Sequence, residues 1–197
     1  MKRTFYAHSI WSFKGWETCF RFLMENSDTF RIIFQGNSDT SDADEYLNAG
    51  KKEFLNLPSI TISPYEGMEN SIKVTGELNK VSRELFLTFM ESAFQGYKPD
   101  LWSFQFLKGN EVILQVADFT EGWLYLEESE VKDLLAQGID IDGTNLKEID
   151  SFSLEARQSD VEVVRLSKDE LSSLANLLKT TFSADHENTP TSSEDGL

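Results

Sequence analysis

The chain has 197 residues, of which 40% are hydrophobic, with 15 Phe, four Trp and a formal net charge of −16. This composition excludes a disordered chain, and the length predicts one domain with a substantial core. No apolar run approaches the ~20 residues that cross a bilayer, and the strong negative charge disfavours direct binding to nucleic acid.

The number of cysteines and the N-terminal residues indicate the cellular compartment in which the chain is expected. The chain has a single cysteine, Cys19, so an internal disulfide is excluded and a reducing environment is favoured. His8, Ser12 and Lys14 interrupt any apolar core of a signal peptide. We therefore expect no export and a cytoplasmic location.

The negative charge is concentrated in the second half of the chain. Residues 1–99 contain 13 acidic and 11 basic residues, whereas residues 100–197 contain 21 acidic and seven basic residues, a net charge of −14. Such a field repels phosphates and steers basic proteins toward the chain. Acidic surfaces also improve solubility, so charge alone does not establish a binding function.

The first 34 residues predict strands. Residues 4–13 are apolar and aromatic and predict a first strand. Residues 17–24 alternate, with Phe20, Phe22 and Met24 on one side and Cys19 and Arg21 on the other. Residues 29–34 alternate again, so the two segments predict a hairpin with one aromatic and one charged face.

Polar residues 35–48 then predict a loop, and short strands are expected at residues 59–63 and 71–77. Residues 79–94 give the clearest helix, with Asn79 as its cap and Gly96 as its stop. Its apolar residues follow helical spacing in two neighbouring rows. These rows consist of Val81, Leu85 and Phe89, and of Phe86, Met90 and Phe94.

Residues 101–126 (LWSFQFLKGNEVILQVADFTEGWLYL) predict three consecutive strands joined by two short turns. Both faces of the middle strand, residues 111–119, are mostly apolar, so we expect it to be covered on both sides. This antiparallel meander is the segment around which the predicted fold is organised.

The C-terminal part predicts a helix at residues 127–137, whose first turn carries acids where the helix dipole favours them, and which ends at Gly138. Residues 139–159 are ambiguous, residues 161–166 predict a strand, and residues 167–179 a helix that begins with a capping box. The predicted fold class is α+β, with a largely antiparallel sheet and about three helices packed on one face. We expect one domain over residues 1–182 and a disordered acidic tail over residues 183–197.

One short motif invites a catalytic interpretation. Residues 140–144 read Asp-Ile-Asp-Gly-Thr and resemble the DxDGT signature of haloacid-dehalogenase-like phosphatases. In that family the motif follows a buried strand and opens a Rossmann-like core, whereas here it follows a predicted helix and only 53 residues remain. We interpret it as an Asp- and Gly-rich turn. Nor does it match an EF-hand loop, because Ser151 stands where the bidentate Glu is needed.

Other signals for catalysis are weak. The chain has two histidines, His8 and His186, and no His/Cys cluster with the spacing of a metal site. A pair of Cys19 and His8 has no supporting local signature. We predict no catalytic residue, no metal site and no cofactor, and an enzyme is the less favoured reading.

The composition instead favours an acidic, non-catalytic protein that binds and neutralises a basic protein, such as a toxin or a nucleic-acid-binding protein. Immunity proteins of bacterial toxin systems and DNA-mimicking inhibitors act in this way. Charge complementarity raises association rates, and aromatic anchors carry much of the affinity. The predicted contact residues are Glu121, Trp123, Glu127, Glu128, Glu130 and Asp133.

Two alternatives remain. The chain could be an enzyme or a small-ligand protein with a pocket between the helix at residues 79–94 and the sheet. It could also be a subunit of an obligate complex, in which case its many aromatic residues would cover a permanent interface.

Overall fold

The computed structural model of the chain describes residues 2–36, 47–141 and 146–149. Most of the predicted loop at residues 35–48 lies outside these residues, and so do the predicted strand at 161–166, the predicted helix at 167–179, the predicted tail at 183–197 and the predicted domain boundary at residue 182. The described strands are β1 Lys2–Ala7, β2 Thr29–Phe34, β3 Thr61–Pro64, β4 Ile72–Glu77, β5 Phe104–Lys108, β6 Glu111–Ala117, β7 Glu121–Glu127 and β8 Leu146–Ile149. The described helices are α1 Trp16–Glu25, α2 Lys51–Leu55, α3 Lys80–Phe94 and α4 Glu128–Ala136, with a 3-10 turn at Ile10–Ser12.

The strands of this described part form one antiparallel sheet in the order β3-β4-β2-β5-β6-β7-β1-β8. The meander β5-β6-β7 is confirmed, and its neighbours β2 and β1 come from the N-terminal part of the chain. The predicted fold class, α+β with a largely antiparallel sheet and helices on one face, is therefore confirmed.

The core lies between the helices and one face of the sheet. Phe20 of α1 contacts Phe104 and Phe106 of β5, with ring centroids 6.1 and 5.3 Å away. Phe86 of α3 contacts Phe106 at 4.9 Å, and Phe54 of α2 lies 4.9 Å from Phe86. Tilted and edge-to-face aromatic pairs of this kind add stabilisation of about 0.5–1.5 kcal/mol each beyond their buried area.

The prediction for residues 17–24 is wrong, because this segment is helix α1 and not a strand. Its buried residues Trp16, Phe20 and Leu23 follow helical spacing, and Glu17 forms an ion pair with Arg21 one turn later at 2.8 Å. The aromatic residues of this segment alternate as in a strand, but the buried Cys19 and Leu23 fit only the helical period, because alternation would place them on the face opposite to Phe20. Cys19, predicted on the exposed face, is fully buried.

The first predicted strand is also too long, since β1 ends at Ala7.

The helix at residues 79–94 is confirmed together with its cap: Asn79 Oδ1 accepts hydrogen bonds from the amides of Val81 (3.0 Å) and Ser82 (3.1 Å). The predicted row that starts at Val81 is not the core face, because the Val81 side chain is 54% exposed. The buried face of α3 instead comprises Ser82, Phe86, Met90 and Ala93.

The helix at residues 127–137 is confirmed as α4, which begins with a capping box and is followed by Gly138 in the left-handed region, at φ +82°. The expectation that both faces of β6 are covered holds only in part. Leu114 and Val116 are buried on the core side and Ile113 on the opposite side, whereas Gln115 and Ala117 are partly exposed.

Candidate functional site

The sheet face opposite the described helices, which we call the outer face, carries a continuous row of paired residues. The strand registers align one outward residue from every strand. Side chains aligned in this way are lateral neighbours, at roughly 4.5–5.5 Å between Cβ atoms. This outer row consists of Thr61, Thr75, Arg31, Gln105, Gln115, Trp123, Tyr6 and Lys147.

One end of the outer row is aromatic. Tyr6 and Trp123 are both partly exposed, and their ring centroids lie 5.4 Å apart at an interplanar angle of 46°. The Tyr6 hydroxyl lies 3.2 Å from Nδ1 of His8. Tyr125 is on the same face, and burial raises its pKa above the ordinary value. Trp and Tyr are enriched among the residues that anchor protein interfaces.

Two of the six predicted contact residues lie on the outer face, near this aromatic end. Trp123 belongs to the outer row, and Glu121 is two residues before it on β7, so both side chains project from the same face. Glu121 is partly exposed, and the described residues supply no cation to pair with its carboxylate. These two predicted residues therefore come together in one surface.

The other four predicted residues lie at α4, and two of them build the helix cap. Glu130 is only 9% exposed and accepts a hydrogen bond from the amide of Glu127 at 2.9 Å, while the Glu127 side chain bonds the amide at Glu130 in return. Lys108 lies 3.5 Å from Glu130. Glu130 thus stabilises the start of α4, and its carboxylate is largely withdrawn from the surface.

The remaining acids near α4 are partly neutralised within the chain. Glu128 forms ion pairs with Arg3 (3.3 Å) and Lys132 (4.0 Å), and Arg3 also contacts Glu148 at 2.6 Å. The hydrogen bond from Arg3 holds the pKa of Glu148 below its ordinary value. Asp133 is exposed, and no described cation pairs with it. Of the acids at α4, Asp133 is therefore the one most available to a partner.

A small cavity of about 260 Å³ lies on the middle strands of the outer face, from β4 to β6, next to the aromatic end. Arg31, Lys73 and Tyr65 line it together with the amide side chains of Gln105 and Gln115. Gln105 Nε2 donates a hydrogen bond to Gln115 Oε1 at 3.1 Å. No pattern in the sequence indicates this group of side chains. Arg31 had been recognised only as part of a charged strand face, and nothing in the sequence placed it beside Lys73.

The centre of the interface between the helix at residues 79–94 and the sheet is filled, and a cavity of about 470 Å³ lies at the edge of this interface, lined by Ser27, Asp28, Thr29, Glu77, Leu78, Asn79 and Arg83. Phe86 of α3 fills the centre, with the rings of Phe30, Phe54, Phe104 and Phe106 all within 5.4 Å of its centroid. The centre of the interface between α3 and the sheet is therefore a packed aromatic core.

Cys19 and His8 are the two described residues that the sequence offered as a nucleophile and its base. Cys19 is fully buried, and burial raises the pKa of its thiol to about 12, so the reactive thiolate is disfavoured. His8 is exposed beside Tyr6 on the outer face. Within the described residues, no three His, Cys, Asp or Glu side chains are grouped as metal ligands would be.

The helices in the described part of the chain are all too short or too polar to span a membrane. Comparison of the chain with protein-family models, with curated proteins and with solved structures found no match.

Proposed function

We propose that this chain is a non-catalytic binding protein that holds a basic protein and thereby neutralises or regulates it. The observation that carries this proposal is the partly exposed Tyr6–Trp123 pair with Glu121 beside it on an outer face that no described helix covers. An aromatic anchor next to a carboxylate without a cation suits a basic surface, because the anchor excludes water around the ion pair that forms.

The charge distribution supports a basic partner. Within the described residues 100–141 and 146–149 there are ten acidic and three basic residues. The partner class that we propose is a toxin enzyme or a nucleic-acid-binding protein, since both present basic surfaces. The buried, unpaired Cys19 is consistent with the reducing cytoplasm, which is where we propose that the chain acts.

The structure changes the proposed contact surface. We place Trp123 at its centre with Glu121 beside it. We retain Glu128 and Asp133 of α4 as peripheral acids that attract the partner. Glu127 and Glu130 contribute mainly by holding the start of α4 in place.

The test is capture of partners from a lysate of the source cells by the immobilised chain at low and at high salt, read by mass spectrometry. The proposal requires more than a captured protein. The protein must be basic, must be reduced at high salt, and must be lost with the variants Trp123→Ala and Glu121→Lys. The matched control is Glu25→Lys, which reverses an exposed charge at the end of α1, on the opposite side of the sheet.

We expect purified partner to bind the two outer-face variants about tenfold or more weakly, because truncation of an interface anchor typically costs 2 kcal/mol or more. Binding to the Glu25→Lys control should match that of the unmodified chain. A partner that binds all three variants equally well would exclude the outer face as the contact surface. A captured partner that is acidic would exclude the proposed function.

A further inference from the structure

The cavity on the outer face brings two cations together without a carboxylate. Arg31 pairs with Thr75 and Ile33 pairs with Lys73 across β2 and β4, so Arg31 and Lys73 are diagonal neighbours on one face. Neither side chain has a hydrogen bond or an ion pair within the described residues, and the cavity lining contains no acid. This local excess of positive charge is unusual in a chain that has 34 acidic and 18 basic residues.

Two neighbouring cations repel each other, and the repulsion grows as water is excluded. Both side chains are only partly exposed. An anion placed between them would turn this repulsion into two attractive contacts. A guanidinium group offers a planar fork that matches two oxygens of a carboxylate or phosphate, and an ammonium group adds a compact charge.

The rest of the lining supplies hydrogen-bond donors. Gln115 Oε1 already accepts from Gln105, which leaves the Gln115 NH₂ group to donate. The Tyr65 hydroxyl is a further donor. Ser103 Oγ is itself committed as a donor to the carbonyl of Val116 at 3.1 Å. Donors combined with cations select an oxyanion over a neutral ligand or a metal ion.

The loop between β3 and β4 holds Tyr65 in place as one wall of the cavity. The Tyr65 amide donates to the carbonyl of Ser71 at 2.9 Å. Gly67 packs against the ring so closely that an added Cβ would lie 2.9 Å from Tyr65 Cε1. The wall therefore depends on a residue without a side chain at position 67.

We propose that this cavity binds a small oxyanion, a phosphate or carboxylate group, between Arg31 and Lys73. A volume of about 260 Å³ lies below the usual range of about 300–1,000 Å³ for ligand pockets, so the ligand is a phosphate-sized group or a short dicarboxylate and not a nucleotide. This site rests on Arg31 and Lys73, which take no part in the proposed partner surface, although Gln115 and Ala117 of its lining are the cross-strand neighbours of Trp123 and Glu121.

The experiment is a titration of the full chain with inorganic phosphate and, separately, with succinate, at pH 7 and constant ionic strength. Calorimetry measures the affinity. Two-dimensional NMR follows the side-chain amide signals of Gln105 and Gln115, which report ligand inside the cavity. The variants are Arg31→Met and Lys73→Met, and the control is Lys52→Met, which removes an exposed charge on α2.

We expect saturable binding of at least one of the two anions, with shifts of both amide signals. Each cavity variant should bind about tenfold or more weakly, since a hydrogen bond to a charged group is worth about 1.5–3 kcal/mol, while Lys52→Met should bind normally. The anion that binds more tightly identifies the ligand as phosphate-bearing or carboxylic. Gly67→Ala should also weaken binding, although it removes no charge.

The two cavity variants should remain folded, because each removes one of two repelling cations and no hydrogen bond. Non-saturable binding of both anions, or equal losses with Lys52→Met, would overturn the proposal, because either result would indicate general charge screening. Loss of anion binding with Trp123→Ala would contradict the assignment of the site to Arg31 and Lys73, because that variant removes neither cation. Failure to bind a basic partner would leave the oxyanion result unaffected.

Discussion

Replacement of Glu130 tests whether this residue is a structural cap or a contact residue. Glu130 accepts the amide hydrogen bond of Glu127 at 2.9 Å and lies 3.5 Å from Lys108 Nζ. Loss of a helix cap costs about 0.5–2 kcal/mol. The Lys108 side chain is mostly exposed, so its ion pair adds about 0–1 kcal/mol. We therefore expect Glu130→Ala to lower the free energy of unfolding by about 2 kcal/mol.

Urea denaturation followed by circular dichroism measures this loss, and Glu130→Gln separates its two parts. Glutamine keeps an oxygen that can accept the amide hydrogen bond, so this variant loses the ion pair only and should cost about 1 kcal/mol or less. Asp133→Ala is the control on the same helix. Asp133 is exposed without a described cation partner, so its replacement should change the free energy of unfolding by about 0.5 kcal/mol or less.

Equal losses for Glu130→Ala and Glu130→Gln would refute the cap reasoning, because they would assign the stabilisation to charge. A Glu130→Ala variant of unchanged stability would return Glu130 to the set of contact residues. Partner binding measured well below the transition would then be expected to fall.

Three further predictions concern the core, the thiol and a turn. Phe86→Ala should lower the free energy of unfolding by about 3–5 kcal/mol in urea titrations, because it opens a cavity among packed rings. Cys19 should not react with Ellman's reagent at pH 8 in the folded chain and should react fully in urea, since burial raises its thiol pKa to about 12. Asp28 accepts hydrogen bonds from the Gly109 amide (2.8 Å) and the Thr29 hydroxyl (2.7 Å), which lower its pKa in the folded state. Its contribution to stability is thus present above the unfolded pKa of about 3.9 and is lost as the pH falls through the lower folded value, so acid titrations of Asp28→Asn should show a flatter stability profile in this window.

The elements that the sequence predicted correctly are those whose signals are local and redundant. Helix α3 has 15 residues, a side-chain cap at Asn79 and apolar residues one turn apart, and each of these indicates the same structure. The meander β5-β6-β7 joins neighbouring strands through short turns, so the pairing follows the chain order. In α1, by contrast, the alternation of Phe20, Phe22 and Met24 predicts a strand, whereas the buried set of Trp16, Cys19, Phe20, Leu23 and Met24 has the helical period.

The two candidate sites also differ in whether their residues lie close together in the sequence. Glu121 was predicted from its charge and Trp123 as an aromatic anchor, and the two share a face because they are two residues apart on one strand. The Arg31–Lys73 pair could not be found, because β2 inserts between β4 and β5, which follow it in the chain. Their contact depends on a long-range register that no local pattern contains. A shift of β4 by one residue would move Lys73 to the other face of the sheet.

The positions of the charges distinguish long-range attraction of a partner from specific contact with it, which the total charge does not. The described residues contain 19 acidic and 14 basic residues, a net charge of −5, so most of the −16 belongs to the remainder of the sequence. An overall negative field steers a basic partner from a distance and weakens with salt, without specifying where the partner binds. Specific binding needs desolvated contacts at one place, and we propose that Trp123, Tyr6 and Glu121 supply them within the described sheet. In the proposed complex the field therefore sets the rate of association, and the outer face sets the lifetime of the bound state.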